Sequence, residues 1–244
     1  MSVLAGKTAL VTGGSRGIGR AIVERLAEDG AEVVFGYRSA REAAEEVEAA
    51  AKGRAYAVRA DQGDPAEVRR LFHEAEERLG GLDILVNNAA INPTAPIAEF
   101  TDDDFDRIMA VNAKAVFVAI RLAATRLRDG GRIVNVSTLN TVLPAPGVSL
   151  YAASKAAVEQ VGAVAAKELG GRGITVNTVA PGAVDTDALR AVNTPEQVAQ
   201  CVAFTALGRL GEPADIAAVV SFLAGPDGRW ITGQTIRATG GYVL

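Results

Sequence analysis

Residues 8–20 read Thr-Ala-Leu-Val-Thr-Gly-Gly-Ser-Arg-Gly-Ile-Gly-Arg: a short apolar run, a glycine-rich turn, and the opening of an amphipathic helix. A strand must enter this turn and a helix must leave it, which few other segments of this length demand. Gly13, Gly14, Gly17 and Gly19 let the main chain come close to a ligand. The helix N-terminus behind them offers unpaired N–H groups and the positive end of its dipole. Ser15, Arg16 and Ile18 occupy the positions between. Such glycines are common in tight turns, and it is the strand before and the helix after that make this one read as a cradle for a dinucleotide pyrophosphate.

The alternation continues along the chain. Apolar β runs lie at 8–11, 32–36, 54–59, 84–87, 131–137, 174–179 and 235–237, with helical patterns at 16–28, 40–51, 65–79, 103–126, 152–169 and 213–223. Strands alternating with helices call for an α/β fold, a doubly wound, Rossmann-type parallel sheet of seven strands. Residues 1–244 read as one dinucleotide-binding domain, since such folds run to roughly 250 residues without splitting. Right-handed crossovers bring every strand's C-terminal end to one edge, where ligands bind. Gly13, Arg38, Asp61, Asn88, Thr138 and Pro181 each follow a strand and so belong to that edge. The stretch 185–211 breaks the alternation with mixed polarity and is read as a substrate lid.

Composition excludes several classes. A net charge of −4 argues against holding nucleic acid or an anionic membrane by bulk charge. No uninterrupted apolar run reaches the ~18 residues of a membrane helix, and the N-terminus lacks a secretory apolar core, so a cytoplasmic location is expected. Cys201 is the only cysteine, so no internal disulfide can form. No metal is expected: His73 falls among Glu74, Glu76 and Glu77 on a solvated helix face, and Asp102, Asp103 and Asp104 open a helix that Thr101 can cap.

Tyr151 and Lys155 stand four apart at the start of a helix and share one face. A phenol titrates near ~10, and an adjacent ammonium favours its phenolate, so Lys155 is expected to activate Tyr151 as an acid–base group.

These residues keep company. Thr12-Gly13-x-x-x-Gly17-x-Gly19, Asn87-Asn88-Ala89-Ala90, Asn112, Ser137-Thr138, Tyr151-Ala-Ala-Ser-Lys155 and Pro181-Gly182 resemble, in order and spacing, the short-chain dehydrogenases/reductases. Arg209-Leu-Gly-Glu-Pro213 and Ile231-Thr-Gly-Gln234 look like the 3-oxoacyl-[acyl-carrier-protein] reductase branch and its near relatives. The resemblance implies an NADPH-dependent ketoreductase in which Tyr151 donates a proton to a carbonyl oxygen as hydride arrives. Lys155 would lower the phenol's pKa and hold the nicotinamide ribose, and Asn112 would anchor a water relaying protons to Lys155. Thr138 takes a position where relatives carry serine; its extra methyl narrows the pocket, and spacing favours it over Ser137, which must face the other way in a strand.

By the same resemblance, Tyr37 stands where NAD enzymes carry an acidic residue, and Arg38 with Arg16 would clamp a 2′-phosphate, which selects NADPH over NADH. Asp61 and Gln62 would meet the adenine, and Asp61 can equally cap the following helix. Asn88 and Ala89 would meet the adenine ribose, and Pro181, Gly182, Val184 and Thr186 the nicotinamide. The expected substrate is a 3-oxoacyl thioester, with a free cyclic, sugar or secondary-metabolite ketone as the alternative and a non-catalytic NADP(H)-binding protein as a third reading. Arg126, Arg128 and Arg172 are the residues expected to dock an acyl carrier protein. Relatives also imply a homotetramer, built on the helices at 103–126 and 152–169 and on the C-terminal segment to Leu244, where Thr239 replaces a common Asp.

Overall fold

The computed structural model describes residues 2–242; Val243 and Leu244, at the end of the segment expected to pack in an interface, lie outside them. Seven parallel strands form one sheet in the order β3-β2-β1-β4-β5-β6-β7. They are β1 (Thr8–Val11), β2 (Glu32–Tyr37), β3 (Ala55–Arg59), β4 (Leu82–Asn87), β5 (Leu127–Val136), β6 (Thr175–Pro181) and β7 (Thr235–Ala238). The chain winds outward from β1 to β3, returns to β4 on β1's other side, and winds outward again. The crevice between the C-terminal ends of β1 and β4 is therefore the switch point at which such sheets bind ligands.

Side-chain alternation divides the core into two layers. Val33, Phe35, Ile84, Val86 and Val134 face one side, beneath α1 (Gly17–Glu28), α2 (Arg41–Ala50) and α9 (Pro213–Ala224). Leu10, Val34, Leu85 and Ile133 face the other, beneath α3 (Pro65–Leu79), α5 (Ala115–Arg126) and α6 (Ser149–Leu169). A strand buried on both faces has no polar alternate positions, which is why these β runs are continuously apolar.

Three local features differ from expectation. The helix expected over 103–126 is α4 (Asp102–Met109) joined to α5 through a π turn at Ala110–Lys114 that holds Asn112. By length and composition this helix would suffice to cross a membrane; half of its most apolar stretch is buried, and α5 packs on α3 and α6. The stretch 185–211 is not an open loop: it folds into α7 (Asp187–Val192) and α8 (Pro195–Phe204), the latter opened by a capping box between Thr194 and Gln197. Its two ends are fastened together, Asp185 N donating to Gly211 O at 2.8 Å and Gly211 N to Ala183 O at 2.9 Å. Finally, β5 starts earlier than expected, because Leu127 pairs with Leu82 before a register shift.

Candidate active site

The glycine turn is held by the end of β4. Asn88 Nδ2 donates to the carbonyls of Thr12 and Gly13, each at 3.0 Å, and the main-chain N–H groups of Asn88 and Ala89 donate to Thr12 Oγ1 at 3.0 and 3.1 Å. Asn88 therefore clamps the cradle through its side chain. Gly13 has φ +69°, and a Cβ there would lie 2.9 Å from Ala89 Cα; a Cβ on Gly19 would lie 2.0 Å from Gly13 O. Neither position admits another residue without moving main chain. Behind the turn, the N-cap of α1 is Arg16, which makes no side-chain capping bond, and the first turn carries no acid. The N–H groups that begin α1 thus lack a side-chain cap at the place where a pyrophosphate would accept from them.

The adenine side lies at the ends of β2 and β3. Tyr37 closes β2 and Arg38 is exposed just beyond it. Asp61 accepts from Gly63 N at 2.8 Å and does not cap α3; that cap is Asp64, accepting from Ala66 N at 2.7 Å. Gln62 Nε2 is buried without a hydrogen-bond partner. An unmet amide donor at this edge fits a nucleotide acceptor. Together with the tight glycine turn and the uncapped helix, it makes the residues present suited to a dinucleotide.

On the opposite side of the switch point, Pro181 ends β6, and Gly182 N donates to Ala238 O at 3.1 Å. Val184 bridges to Gly211. Thr186 caps α7 and accepts from Leu189 N at 3.2 Å, and its methyl lies 3.4 Å from where a Cβ on Gly17 would stand. The start of the 185–211 excursion therefore reaches the glycine turn.

Between these sides, α6 presents Tyr151 and Lys155 to the end of β5. Lys155 is 2 % exposed and its Nζ donates to Val136 O at 2.7 Å. Burial pushes its pKa down to about 8. Burial also pushes the Tyr151 phenol up, and a hydrogen bond with the Thr138 hydroxyl only partly opposes this. The phenol's pKa is raised rather than lowered, because the Lys155 ammonium is turned to the Val136 carbonyl and loss of water around the phenol dominates. Thr138 Oγ1 also donates to Asn140 Oδ1 at 3.2 Å. Ser137 faces elsewhere, its hydroxyl donating to Glu159 Oε1 at 2.5 Å. Asn112, fully buried, accepts from Ile91 N and donates to Ile91 O, each at 2.9 Å, and donates to Ser154 Oγ at 3.0 Å. Its amide is engaged, so it is not the group that would hold a relay water.

A family profile described as enoyl-(acyl carrier protein) reductase matches residues 13–243. A dehydrogenase/reductase from Sinorhizobium meliloti is 49% identical, superposes with a TM-score of 0.94, and the match covers 100% of this chain and 98% of that one. The chain belongs to the short-chain dehydrogenase/reductase family. Other short-chain relatives carry more specific names. An angucycline C-6 ketoreductase crystallised with NADP is 45% identical with a TM-score of 0.93, over 99% of this chain and 97% of that one. A hydroxynaphthalene reductase-like protein of Metarhizium majus is 44% identical over 98% of this chain and 96% of its own.

Within this short-chain dehydrogenase/reductase, one expectation of position fails. Arg126 and Arg128 flank the first residue of β5 and Arg172 precedes β6, so they lie at the sheet edge opposite Tyr151. Each is paired within the chain, Arg126 with Glu76 at 2.7 Å, Arg128 with Asp83 at 2.9 Å and Arg172 with Asp129 at 2.7 Å. They form no free basic patch beside the site. Three residues near the site went unremarked in the sequence: Asn140 beside Thr138, Glu159 on Ser137, and Arg59, which ends β3 and donates from Nε to Arg38 O at 3.2 Å. Arg59 ends β3, Arg38 follows β2 and Arg16 stands at the start of α1 beyond β1, none in an ion pair with a carboxylate among the described residues. The place of Arg59 as the last residue of the 54–59 β run was the available signal, and the structure sets it beside Tyr37.

Proposed function

We propose that this chain is an NADPH-dependent carbonyl reductase acting on a free, apolar ring ketone. The observation that carries the reading is the convergence of Tyr151, Lys155 and Thr138 on one strand edge with an uncapped helix N-terminus and a tight glycine turn. NADPH bound at the glycine turn would supply hydride to the carbonyl carbon. Gly13, Ser15, Arg16, Gly17, Ile18 and Gly19 would receive its pyrophosphate, Gln62 and Asp61 its adenine, and Val184 and Thr186 its nicotinamide. Arg38, assisted by Arg16 and Arg59, would hold the 2′-phosphate that distinguishes it from NADH.

The chain's own residues handle the proton. A phenol whose pKa is raised by burial keeps its hydrogen at neutral pH, so Tyr151 is present as a donor for the carbonyl oxygen. Thr138 donates a second hydrogen bond to that oxygen after turning from Asn140. Lys155, held by the Val136 carbonyl one helical turn along α6 and lowered to about 8, is a stronger acid than an ordinary lysine and would hold the nicotinamide ribose. With the Asn112 amide engaged, a main-chain carbonyl of the π turn is the group to hold a relay water, since π turns open the helical hydrogen-bond ladder.

The ring-ketone reading rests on the pairing of Arg126, Arg128 and Arg172 away from the site and on the uncharged lip of residues 91–94 and 139–146. The relatives named for hydroxynaphthalene and angucycline substrates favour it further. A carrier-bound 3-oxoacyl thioester is the second reading, favoured by the likeness of Arg209–Pro213 and Ile231–Gln234 to that branch and by a family description that names a carrier protein. We further propose a homotetramer through the outer faces of α4–α5 and α6, where Phe105, Phe117 and Val164 are exposed. Initial rates of NADPH oxidation with bicyclic aromatic ketones and with an acyl thioester test the reading. Ring ketones should turn over faster, and Tyr151→Phe should lose about 10²-fold or more in kcat with NADPH still bound. Undiminished turnover in that variant overturns the mechanism, and preference for the thioester overturns the substrate class.

A further inference from the structure

We propose that Ser137 and Glu159 are a positioning pair that fixes the catalytic face of α6 against the end of β5. The inference rests on the reading of Tyr151 and Thr138 given above. Three successive residues at the end of β5 meet α6 at successive turns. The Val136 carbonyl accepts from Lys155 Nζ at 2.7 Å, the Ser137 hydroxyl donates to Glu159 Oε1 at 2.5 Å, and the Thr138 hydroxyl lies against the Tyr151 phenol. Tyr151, Lys155 and Glu159 are spaced by four and line one stripe of the helix. The strand ends at Val136, so the two residues that follow lie beyond the regular ladder, where only Ser137 N still bonds to β6.

Ser137 supplies the hold there. Its main-chain N–H donates to Val179 O at 2.7 Å, tying it to β6, while its buried side chain ties it to α6. A hydroxyl has one hydrogen to donate, and here it goes to Glu159, so Ser137 cannot also polarise a substrate carbonyl. A bond to a carboxylate is the stronger, charge-assisted kind, and it joins the element carrying Tyr151 and Lys155 to the residue adjoining Thr138. Rotation or sliding of α6 would separate the phenol and the Thr138 hydroxyl, which must meet one oxygen between them.

The test compares Ser137→Ala, Glu159→Ala, the double variant and Glu159→Gln in the NADPH-dependent assay, with NADPH affinity read separately by quenching of intrinsic fluorescence. Loss of alignment at the reacting atoms should lower kcat about tenfold in either alanine variant, and no further in the double one. NADPH affinity should stay within about twofold, and Glu159→Gln, whose amide oxygen still accepts from Ser137, should recover most of the rate. Wild-type kcat in Glu159→Ala overturns the pair, as do a Glu159→Gln variant as slow as the alanine and additive losses in the double variant. Tyr151→Phe is run alongside: full turnover there removes the parent reading, whereas an inactive Tyr151→Phe beside an unaffected Ser137→Ala removes only the pair.

Discussion

Replacing Lys155 with methionine should silence the enzyme and, at neutral pH, stabilise it. The lysine is 2 % exposed, and its Nζ donates to the Val136 carbonyl at 2.7 Å. Burial lowers its pKa from 10.5 to about 8. At about 1.4 kcal/mol per pH unit, holding the charged form in the native chain costs about 3 kcal/mol relative to the unfolded one. Between about 8 and 10.5 the unfolded chain keeps this proton and the native chain has lost it, so raising the pH through that window favours folding. Below the window the full cost is in force; above it none remains. Methionine fills similar volume without a charge, at the expense of leaving Val136 O unpaired, about 1–3 kcal/mol. The informative quantity is accordingly the change in the stability gap with pH, which cancels the carbonyl's contribution. Urea unfolding of the cofactor-free proteins, followed by circular dichroism at pH 7 and pH 10.5, measures it. The Lys155→Met variant should lose about 3 kcal/mol of its advantage over the parent chain between those pH values. A gap independent of pH would refute the reasoning, since it would mean that the buried ammonium is not disfavoured.

Two further outcomes follow from the geometry. Gly19→Ala places a methyl 2.0 Å from Gly13 O and 2.5 Å from Asn88 Nδ2, so the clamp on the cradle must open; NADPH affinity should fall about tenfold or more by titration while the far-UV spectrum persists. Burial alone would raise the Asp83 carboxyl, but hydrogen bonds from Thr8 and Lys7 outweigh it and hold it below its ordinary range. The stability it contributes is present above the unfolded carboxyl pKa and lost as pH falls through the folded one. Asp83→Asn should therefore be less stable at pH 7 by about 1–3 kcal/mol and show a shallower loss on acidification, read as Tm against pH.

Much of this molecule is written locally. The β1–turn–α1 unit follows from four glycines between an apolar run and an amphipathic one, and α3 begins at Pro65 as its helical pattern predicts, with Asp64 rather than Asp61 as the cap. The capping box that opens α8 also stands in the sequence, in Thr194-Pro195-Glu196-Gln197, although the mixed polarity around it reads as a loop. What depended on distant partners was not legible. No Gly or Pro marks the π turn, which accompanies the grip of Asn112 on Ile91, twenty-one residues away. The early start of β5 needs Leu82. The inverted pKa of Tyr151 depends on how completely the fold removes water from the phenol, and the arginines expected beside the site were placed by motif spacing, which carries no record of Glu76, Asp83 or Asp129.

The π turn has a consequence for how this chain can vary over time. It carries one residue more than an α turn, and each residue of a helix accounts for about 100° of rotation. The widened turn absorbs that extra residue, so the helix on either side keeps its phase; excising one residue from 110–114 would make the helix regular, leave Ile108 in the core and cost Asn112 its hold on Ile91. The number of residues in this turn is therefore part of the site, so lineages descended from this chain should accumulate length changes in its loops and none here.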